Sequence, residues 1–259
     1  VMGQTTYDFQ VPVATLRIQM TKIGPAKYMS HLDFIRTVDR SVRRAKLPIT
    51  LSCGFNPRPR MSFSPALPVG VSSHSEFVDI MLKEPMDANE ASLRLNDSLP
   101  SGMKVVSSRI LPPNVPALSA IIQASAYRLD FHGERQVRPD HVSMAVDEIM
   151  DKDSIVIKRV TPKGIRKVNL RPLIYDINVE SSRSHVSVYA TVASGSRGNL
   201  RPFDLAQVIL DFIKGFRTVA LSSVLPEKGF MYFVTANYAY PGKPIYSHKI
   251  RYSPHRGLI

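Results

Sequence analysis

The order of hydrophobic patterns along the first part of the chain places the strongest limit on its fold. Residues 14–21, ATLRIQMT, alternate apolar and polar side chains, which predicts a half-buried strand. Residues 30–46 carry apolar side chains three and four positions apart, which predicts an amphipathic helix. Asp87, with Glu90 three positions later, predicts the N-cap of a second helix that ends near Leu99. Further strands are predicted at 61–64, 77–83 and 103–111.

The second half of the chain repeats this order after a proline-rich break. Three prolines between residues 112 and 116 predict a linker at 112–121, which separates a domain at 13–111 from one at 122–240. The patterns after the linker predict strands at 126–132, 154–160, 168–173, 174–180, 185–193 and 230–238, and helices at 139–150 and 202–215. Residues 163–167 are interpreted as the turn of an extra hairpin. Residues 1–12 are interpreted as a lead-in, and 241–259 as a basic tail.

Strand, helix, strand, strand, helix, strand is the element order of the ferredoxin-like unit. We therefore predict an α+β fold of two tandem ferredoxin-like (βαββαβ) domains, the second with an extra hairpin.

The charge of the chain indicates its class of partner. Thirty-four Lys and Arg residues against 21 Asp and Glu give a formal charge of +13 and a pI of about 10.0. Such a field attracts polyanions, namely RNA, DNA or an anionic membrane surface. A single cysteine argues against a disulfide framework or a multi-cysteine metal site, and no apolar run approaches the roughly 18 residues that span a bilayer. We expect a soluble, cytoplasmic protein with no membrane contact.

The helix predicted at 30–46 has an arginine-rich face beside its apolar face. Four arginines share the helical spacing of one face, and two more follow in the proline-rich loop at 53–60. They are Arg36, Arg40, Arg43, Arg44, Arg58 and Arg60. No acidic residue lies between positions 46 and 76 to neutralise the loop. The alternative is a solvated basic face with Asp33 and Asp39 as local partners.

One histidine has neighbours that suit proton transfer. His31 lies close in sequence to Lys27 and Tyr28 at the start of the basic helix, where the helix dipole and nearby cations lower its pKa and favour a base in RNA transesterification. The alternative is a histidine that caps the turn or packs under the loop. The seven histidines lack metal-ligand spacing and Cys53 lacks a partner, so we expect no metal and no cofactor.

Three arginines of the second half stand in recognisable local motifs. Arg171 and Arg201 each precede a proline, and Arg197 lies in the glycine-containing segment GSRGN. Such a loop can contact one phosphate through backbone amides and its arginine. Structural arginines and an ordinary connecting loop are the alternatives.

Three segments together resemble a known family. GPAKYMSHLDFIRTVDRSVRRAKLP, GFNPRPRMSFSPALPVG and KGIRKVNLRPLI resemble the radical-SAM-linked protein family, a bacterial domain of uncharacterised function. Members are encoded beside, or fused to, a radical S-adenosylmethionine protein with a cobalamin-type domain. The resemblance therefore implies a helper in a radical reaction, with RNA as the expected substrate. At the level of fold, tandem ferredoxin-like domains are also similar to CRISPR repeat-processing endoribonucleases, which cleave RNA without metal.

We predict a non-catalytic RNA-binding module that presents RNA to a radical S-adenosylmethionine protein, with the cleft between its domains as part of the positive surface. The expected RNA-binding residues are Lys27, Tyr28, His31, Arg36, Arg40, Arg43, Arg44, Phe55, Asn56, Arg58, Arg60, Arg171, Arg197 and Arg201. One alternative is a metal-independent endoribonuclease with His31 and Tyr28 as catalytic residues. Another is a protein adaptor without nucleic-acid contact.

Overall fold

The computed structural model describes residues 11–53, 55–133, 138–181, 186–195, 198–215 and 230–238. These residues divide into two units, one that runs to Ile121 and one that begins at Ile122. Residues 1–10 of the predicted lead-in and the predicted tail at 241–259 lie outside them. None of the described helices has both the length and the apolar composition needed to cross a membrane.

The first unit is an antiparallel sheet with two long helices and one short helix. Its elements are β1 (Ala14–Lys22), α1 (His31–Arg44), β2 (Met61–Phe63), β3 (Ser72–Leu82), α2 (Ala88–Ser98), β4 (Met103–Leu111) and the short α3 (Leu118–Ile121). The strands pair in the order β4-β1-β3-β2, and every pairing is antiparallel. This is the strand order that the βαββαβ unit produces, so the predicted α+β class is confirmed.

The core of the first unit lies between α1, α2 and one face of the sheet. It is built from alternate residues of β1, β3 and β4 and from the apolar stripes of the two helices. Its most buried members are Leu16, Ile18, Met20, Phe34, Val38, Val42, Val78, Ile80, Leu82, Ala91 and Leu95. Ser30 caps α1, because its Oγ accepts a hydrogen bond from the Asp33 amide at 3.2 Å. Asp87 Oδ1 accepts from the Asn89 and Glu90 amides, which confirms the predicted cap of α2.

The prediction that β1 is half-buried is wrong. Eight of its nine residues are buried, including Arg17 at 3% exposure. Arg17 lies opposite Asp79 of β3, and its Nε and Nη2 each donate to the carboxylate at 2.6 Å. Alternation records the polarity of side chains but not their burial, because a paired guanidinium and carboxylate can be buried together.

The proline-rich segment before β2 forms a short hairpin of its own. The Thr50 amide donates to the Met81 carbonyl at 2.8 Å, and the Arg60 amide donates to the Thr50 carbonyl at 2.9 Å. The Ser52 amide donates to the Arg58 carbonyl at 2.8 Å. Residues 50–52 and 58–60 therefore hold the loop between them on the edge of the sheet.

The second unit repeats the arrangement with one insertion. Its elements are β5 (Ala124–Gly133), α4 (Pro139–Asp151), β6 (Val156–Thr161), β7 (Gly164–Asn169), β8 (Ile174–Ser181), β9 (Val186–Ala193), α5 (Pro202–Gly215) and β10 (Phe230–Tyr238). The main sheet has the order β10-β5-β9-β8, and β6 and β7 form a separate two-stranded ribbon. Without the ribbon, the remaining elements again follow the βαββαβ order.

The predicted bounds of the extra hairpin are wrong. The sequence predicts a turn at 163–167, whereas β7 begins at Gly164 and pairs with β6 as far as Asn169. The strand predicted at 168–173 ends early, because the Asn169 side chain accepts from the Ile155 and Arg171 amides and the 3-10 turn Arg171–Leu173 follows. The basic residues mistaken for a turn lie instead along a strand.

Candidate nucleic-acid interface

Four arginines lie on the exposed side of α1. Arg36 is 3.5 Å from the Asp33 carboxylate, and Arg43 Nε is 2.7 Å from the Asp39 carboxylate. Exposed pairs of this kind are weak, and a stronger anion can displace them. Within the described part of the chain, Arg40 and Arg44 form no ion pair.

The loop at 53–60 lies against the C-terminal half of the same helix. Arg43 Nη2 donates to the Pro57 carbonyl at 3.3 Å, which joins helix to loop. Arg58 is exposed, and its amide donates to Ser52 Oγ at 3.0 Å. We call α1 together with residues 53–60 the α1–loop surface.

The tip of the loop presents groups other than arginine. Phe55 is 95% exposed, Asn56 is exposed, and Arg60 is half-buried at the base of the loop. Neither Arg58 nor Arg60 forms an ion pair among the described residues. The tip thus combines an aromatic ring, an amide and an uncompensated cation.

A 3-10 turn, Gly24–Tyr28, precedes α1. Lys27 Nζ lies 5.0 Å from the centre of the Tyr28 ring, and Tyr28 is 64% exposed. The Gly70 amide donates to the Lys27 carbonyl at 2.9 Å, so the 65–71 segment holds this turn in place.

His31 occupies the first position of α1 and is half-buried. Its ring meets the Phe63 ring edge to face, with centroids 6.3 Å apart. Burial lowers the pKa of His31, and the charge of Lys22 lowers it further. The predicted direction is confirmed, although burial has the larger effect. The neutral imidazole is therefore the favoured form.

Sequence reasoning missed two buried ionisable groups, namely Lys22, whose charge acts on His31, and Glu76. Lys22 is 2% exposed and Glu76 is 3% exposed. Glu76 Oε2 accepts from Ser64 Oγ at 3.0 Å, and its other oxygen has no hydrogen-bond partner in the described part of the chain. Burial raises the pKa of Glu76, whereas hydrogen bonds from Ser73 and Ser64 and the charge of Lys22 lower it.

The pKa values of the two buried groups are shifted in opposite directions. Burial lowers the pKa of Lys22, and attraction to Glu76 only partly offsets this. Opposed shifts of this kind concentrate at sites of proton transfer. Alternation places Lys22 on the same face of β1 as Met20, but the carboxylate that attracts it belongs to Glu76 of β3, so only strand pairing reveals the two groups together.

The two predicted arginines of the second unit that the structure describes, Arg171 and Arg201, have different surroundings. Arg171 donates to the Met150 carbonyl from Nε at 3.2 Å and from Nη2 at 2.9 Å, and to the Ile174 carbonyl from Nη1 at 3.2 Å. Its guanidinium therefore satisfies the last turn of α4. Arg201 is exposed just before α5, and Arg197 lies outside the described residues.

Comparisons with known proteins assign the chain to a family and find weak similarity to two solved structures. A model of the family described as uncharacterized protein conserved in bacteria (DUF2344) matches residues 15–202. No curated protein matches the chain. The chain is similar to a Cbf5-Nop10-Gar1 complex at 11% identity with a TM-score of 0.44, and to the archaeal box H/ACA sRNP Nop10-Cbf5 complex at 10% identity with a TM-score of 0.41. The matches cover 92% and 88% of this chain and 54% and 48% of the other chains, so the chain spans about half their length.

Proposed function

We propose that this chain, which belongs to the family of uncharacterized proteins conserved in bacteria (DUF2344), binds RNA through the α1–loop surface. One observation carries the proposal: the hydrogen bond from Arg43 to the Pro57 carbonyl joins the arginine face of α1 to a loop that bears Arg58. Arg40, Arg44 and Arg58 have no carboxylate partner in the part of the chain that the structure describes. A formal charge of +13 draws a polyanion toward such a surface.

The side chains of the α1–loop surface suit the two parts of a nucleotide. Guanidinium groups bind phosphate oxygens bidentately, and the exposed pairs of Arg36 and Arg43 can exchange a carboxylate for a phosphate. Phe55 offers a ring on which an unpaired base can stack, and Asn56 offers an amide to a base edge. RNA with unpaired bases is therefore the expected ligand.

The test is the salt dependence of RNA affinity. Fluorescence anisotropy of a labelled oligouridylate is measured over a range of potassium chloride concentrations, for the full chain and for Arg40→Gln/Arg44→Gln. Each phosphate contact on single-stranded RNA contributes about 0.7 to the slope of log K against log salt, so the double variant should reduce the slope by about 1.4. Affinity should fall at every salt concentration.

A matched variant controls for the loss of two charges. Arg94→Gln/Lys104→Gln removes two exposed cations from α2 and β4 of the same unit and should leave the slope unchanged. A slope near zero for the unaltered chain would overturn the proposal. Equal losses in the two double variants would show that total charge, rather than the α1–loop surface, governs binding.

We further propose that the bound RNA is presented to a radical S-adenosylmethionine protein. This step is supported by the resemblance of three segments to the radical-SAM-linked family. Coexpression with a radical S-adenosylmethionine protein from the same genome should give a complex that persists after nuclease treatment. Absence of such a complex at micromolar concentrations would remove this step and leave RNA binding untouched.

The neutral state favoured at His31 supports a second candidate function, metal-independent RNA cleavage. His31 begins α1 just after the turn that carries the exposed Tyr28, and Lys22 is near enough for its charge to act on the imidazole. A neutral imidazole at this position can accept a proton from a ribose hydroxyl. Labelled RNA incubated in chelator should then be cut by the unaltered chain and not by His31→Ala, while both bind it equally. Intact RNA after incubation with the unaltered chain would reject cleavage without affecting the binding proposal.

A further inference from the structure

The β6–β7 ribbon pairs like charges across its two strands. Lys158 lies directly opposite Lys167, and Arg159 lies opposite Arg166. Like charges in directly opposed positions destabilise a strand pair. Stability of the free protein therefore does not account for this arrangement.

Aliphatic side chains flank the lysine pair on the same face of the ribbon. Because side chains alternate between faces, Val156, Lys158 and Val160 share the face of β6 that Lys167 and Ile165 share on β7. Val156 is 57% exposed, Val160 82% and Ile165 70%. We call this face, Val156, Lys158, Val160, Ile165 and Lys167, the ribbon face.

The ribbon is attached firmly to the second unit by its opposite face. Arg159 Nε donates to the Asp204 carboxylate of α5 at 2.8 Å, and Ile157 and Val168 are half-buried. The Asn169 side chain accepts from the Ile155 amide at 2.9 Å at the base of the ribbon. The ribbon face therefore belongs to an element that hydrogen bonds and packing fix to the second unit, rather than to a free loop.

Charge identifies the kind of partner that fits the ribbon face. Residues 154–175 contain six cations and no acidic residue. Of these cations, Arg159 is paired with Asp204 and Arg171 is held by carbonyls, whereas Lys158, Lys163, Arg166 and Lys167 are exposed. A partner with closely spaced negative charges would relieve the repulsion between Lys158 and Lys167.

We infer that the ribbon face is a second RNA-binding element, which takes RNA with unpaired bases. The lysine pair contacts successive phosphates, and the flanking valines and isoleucine contact base faces that a duplex would hide. The choice of RNA as the ligand of the ribbon face rests on the proposed function. It concerns residues far along the chain from the α1–loop surface, so each can fail alone.

The experiment uses the full chain and the variant Lys158→Gln/Lys167→Gln. Affinity for labelled oligouridylate should fall, and the salt slope should decrease by about 1.4. The urea midpoint of unfolding should rise at the same time, because the like-charge pair is gone. A merely structural role cannot weaken binding while it strengthens the fold.

Two further variants separate charge from apolar contact. Val160→Ser/Ile165→Ser should lower affinity for oligouridylate with an unchanged salt slope, and should not affect affinity for a blunt RNA duplex. Arg138→Gln/Lys152→Gln removes two exposed cations beside α4, each from an ion pair, and should leave RNA affinity unchanged.

The outcomes distinguish this inference from the proposed function. If Arg40→Gln/Arg44→Gln weakens RNA binding and Lys158→Gln/Lys167→Gln does not, only the ribbon inference is overturned. The reverse pattern leaves the ribbon as the RNA site and overturns the α1–loop surface. Loss of binding to phosphatidylglycerol vesicles in the ribbon variant, with RNA binding intact, would overturn RNA in favour of a lipid surface.

Discussion

Lys46, two residues after the last residue of α1, lies in the left-handed backbone region with φ of 51°. Its amide donates to the Arg43 carbonyl at 3.1 Å, and the Leu47 amide donates to the Val42 carbonyl at 3.4 Å. These are the two bonds of a Schellman motif, in which glycine usually takes the position of Lys46. Leu47 is buried against the helix and fixes the motif.

We predict that Lys46→Gly stabilises the protein by about 1 kcal/mol, because glycine lacks the Cβ clash of the left-handed region. Urea unfolding followed by circular dichroism measures the change. Lys46→Ala removes the same charge but keeps the clash, so it should match the unaltered chain. A lower midpoint for Lys46→Gly than for Lys46→Ala would contradict the prediction.

Glu76 gives a prediction for pH. Its pKa in the folded protein lies above the ordinary value of 4.5, so the folded state holds this proton more tightly than the unfolded state. The contribution of Glu76 to stability is therefore full below pH 4.5 and is lost as pH rises through the folded pKa. Glu76→Gln removes this dependence and keeps an oxygen for Ser64.

As pH rises from 4.5, the unaltered chain should therefore lose stability relative to Glu76→Gln, so the unfolding free energy of the variant increasingly exceeds that of the unaltered chain. The difference should become constant above the folded pKa. Parallel pH curves for the two proteins would show that Glu76 is ionised normally in the folded state.

The elements differ in how much of each was predictable from sequence. The apolar stripe of α1 and the cap of α2 are local signals, so both helices were predicted close to their observed bounds. The burial of Arg17 and of Lys22 beside carboxylates of β3 depends on strand pairing, which one strand's sequence does not contain. The same holds for β7, whose basic residues resemble a turn until β6 is placed opposite them.

At the level of one element, we predict that Asp87→Ala destabilises the first unit by about 1 kcal/mol, because two amides at the start of α2 lose their acceptor. Asp87→Asn keeps an oxygen in the same place and should cost less. Thermal unfolding of both variants measures the difference. Equal effects of the two substitutions would indicate that charge, rather than the hydrogen bonds, matters at this position.

The whole molecule carries a formal charge of +13, and its excess positive charges repel one another in the folded state. The α1–loop surface and the ribbon face were only partly foreseen. Sequence spacing predicts that the six arginines at 36–60 act together, but it gives no such signal for Lys158 and Lys167. Convergence of cations depends on the hydrogen bond at Pro57 and on the register of β6 and β7, and neither follows from spacing.

We predict that moderate potassium chloride raises the midpoint of thermal unfolding, by about 2 to 4 °C for each kcal/mol of repulsion that is screened. Differential scanning calorimetry measures the shift. Lys158→Gln/Lys167→Gln, which has less repulsion to screen, should show a smaller shift. A midpoint that falls with salt would mean that favourable ion pairs outweigh the repulsion.

The buried pair of Arg17 and Asp79 limits which misfolded states the first unit can reach. If β1 slipped by one residue along β3, the guanidinium would face Val78 or Ile80, the neighbours of Asp79 in that strand. The positive charge of Arg17 would then be buried without a partner among apolar side chains, which is strongly unfavourable. The pair therefore disfavours the misaligned pairing of β1 and β3 relative to the observed register.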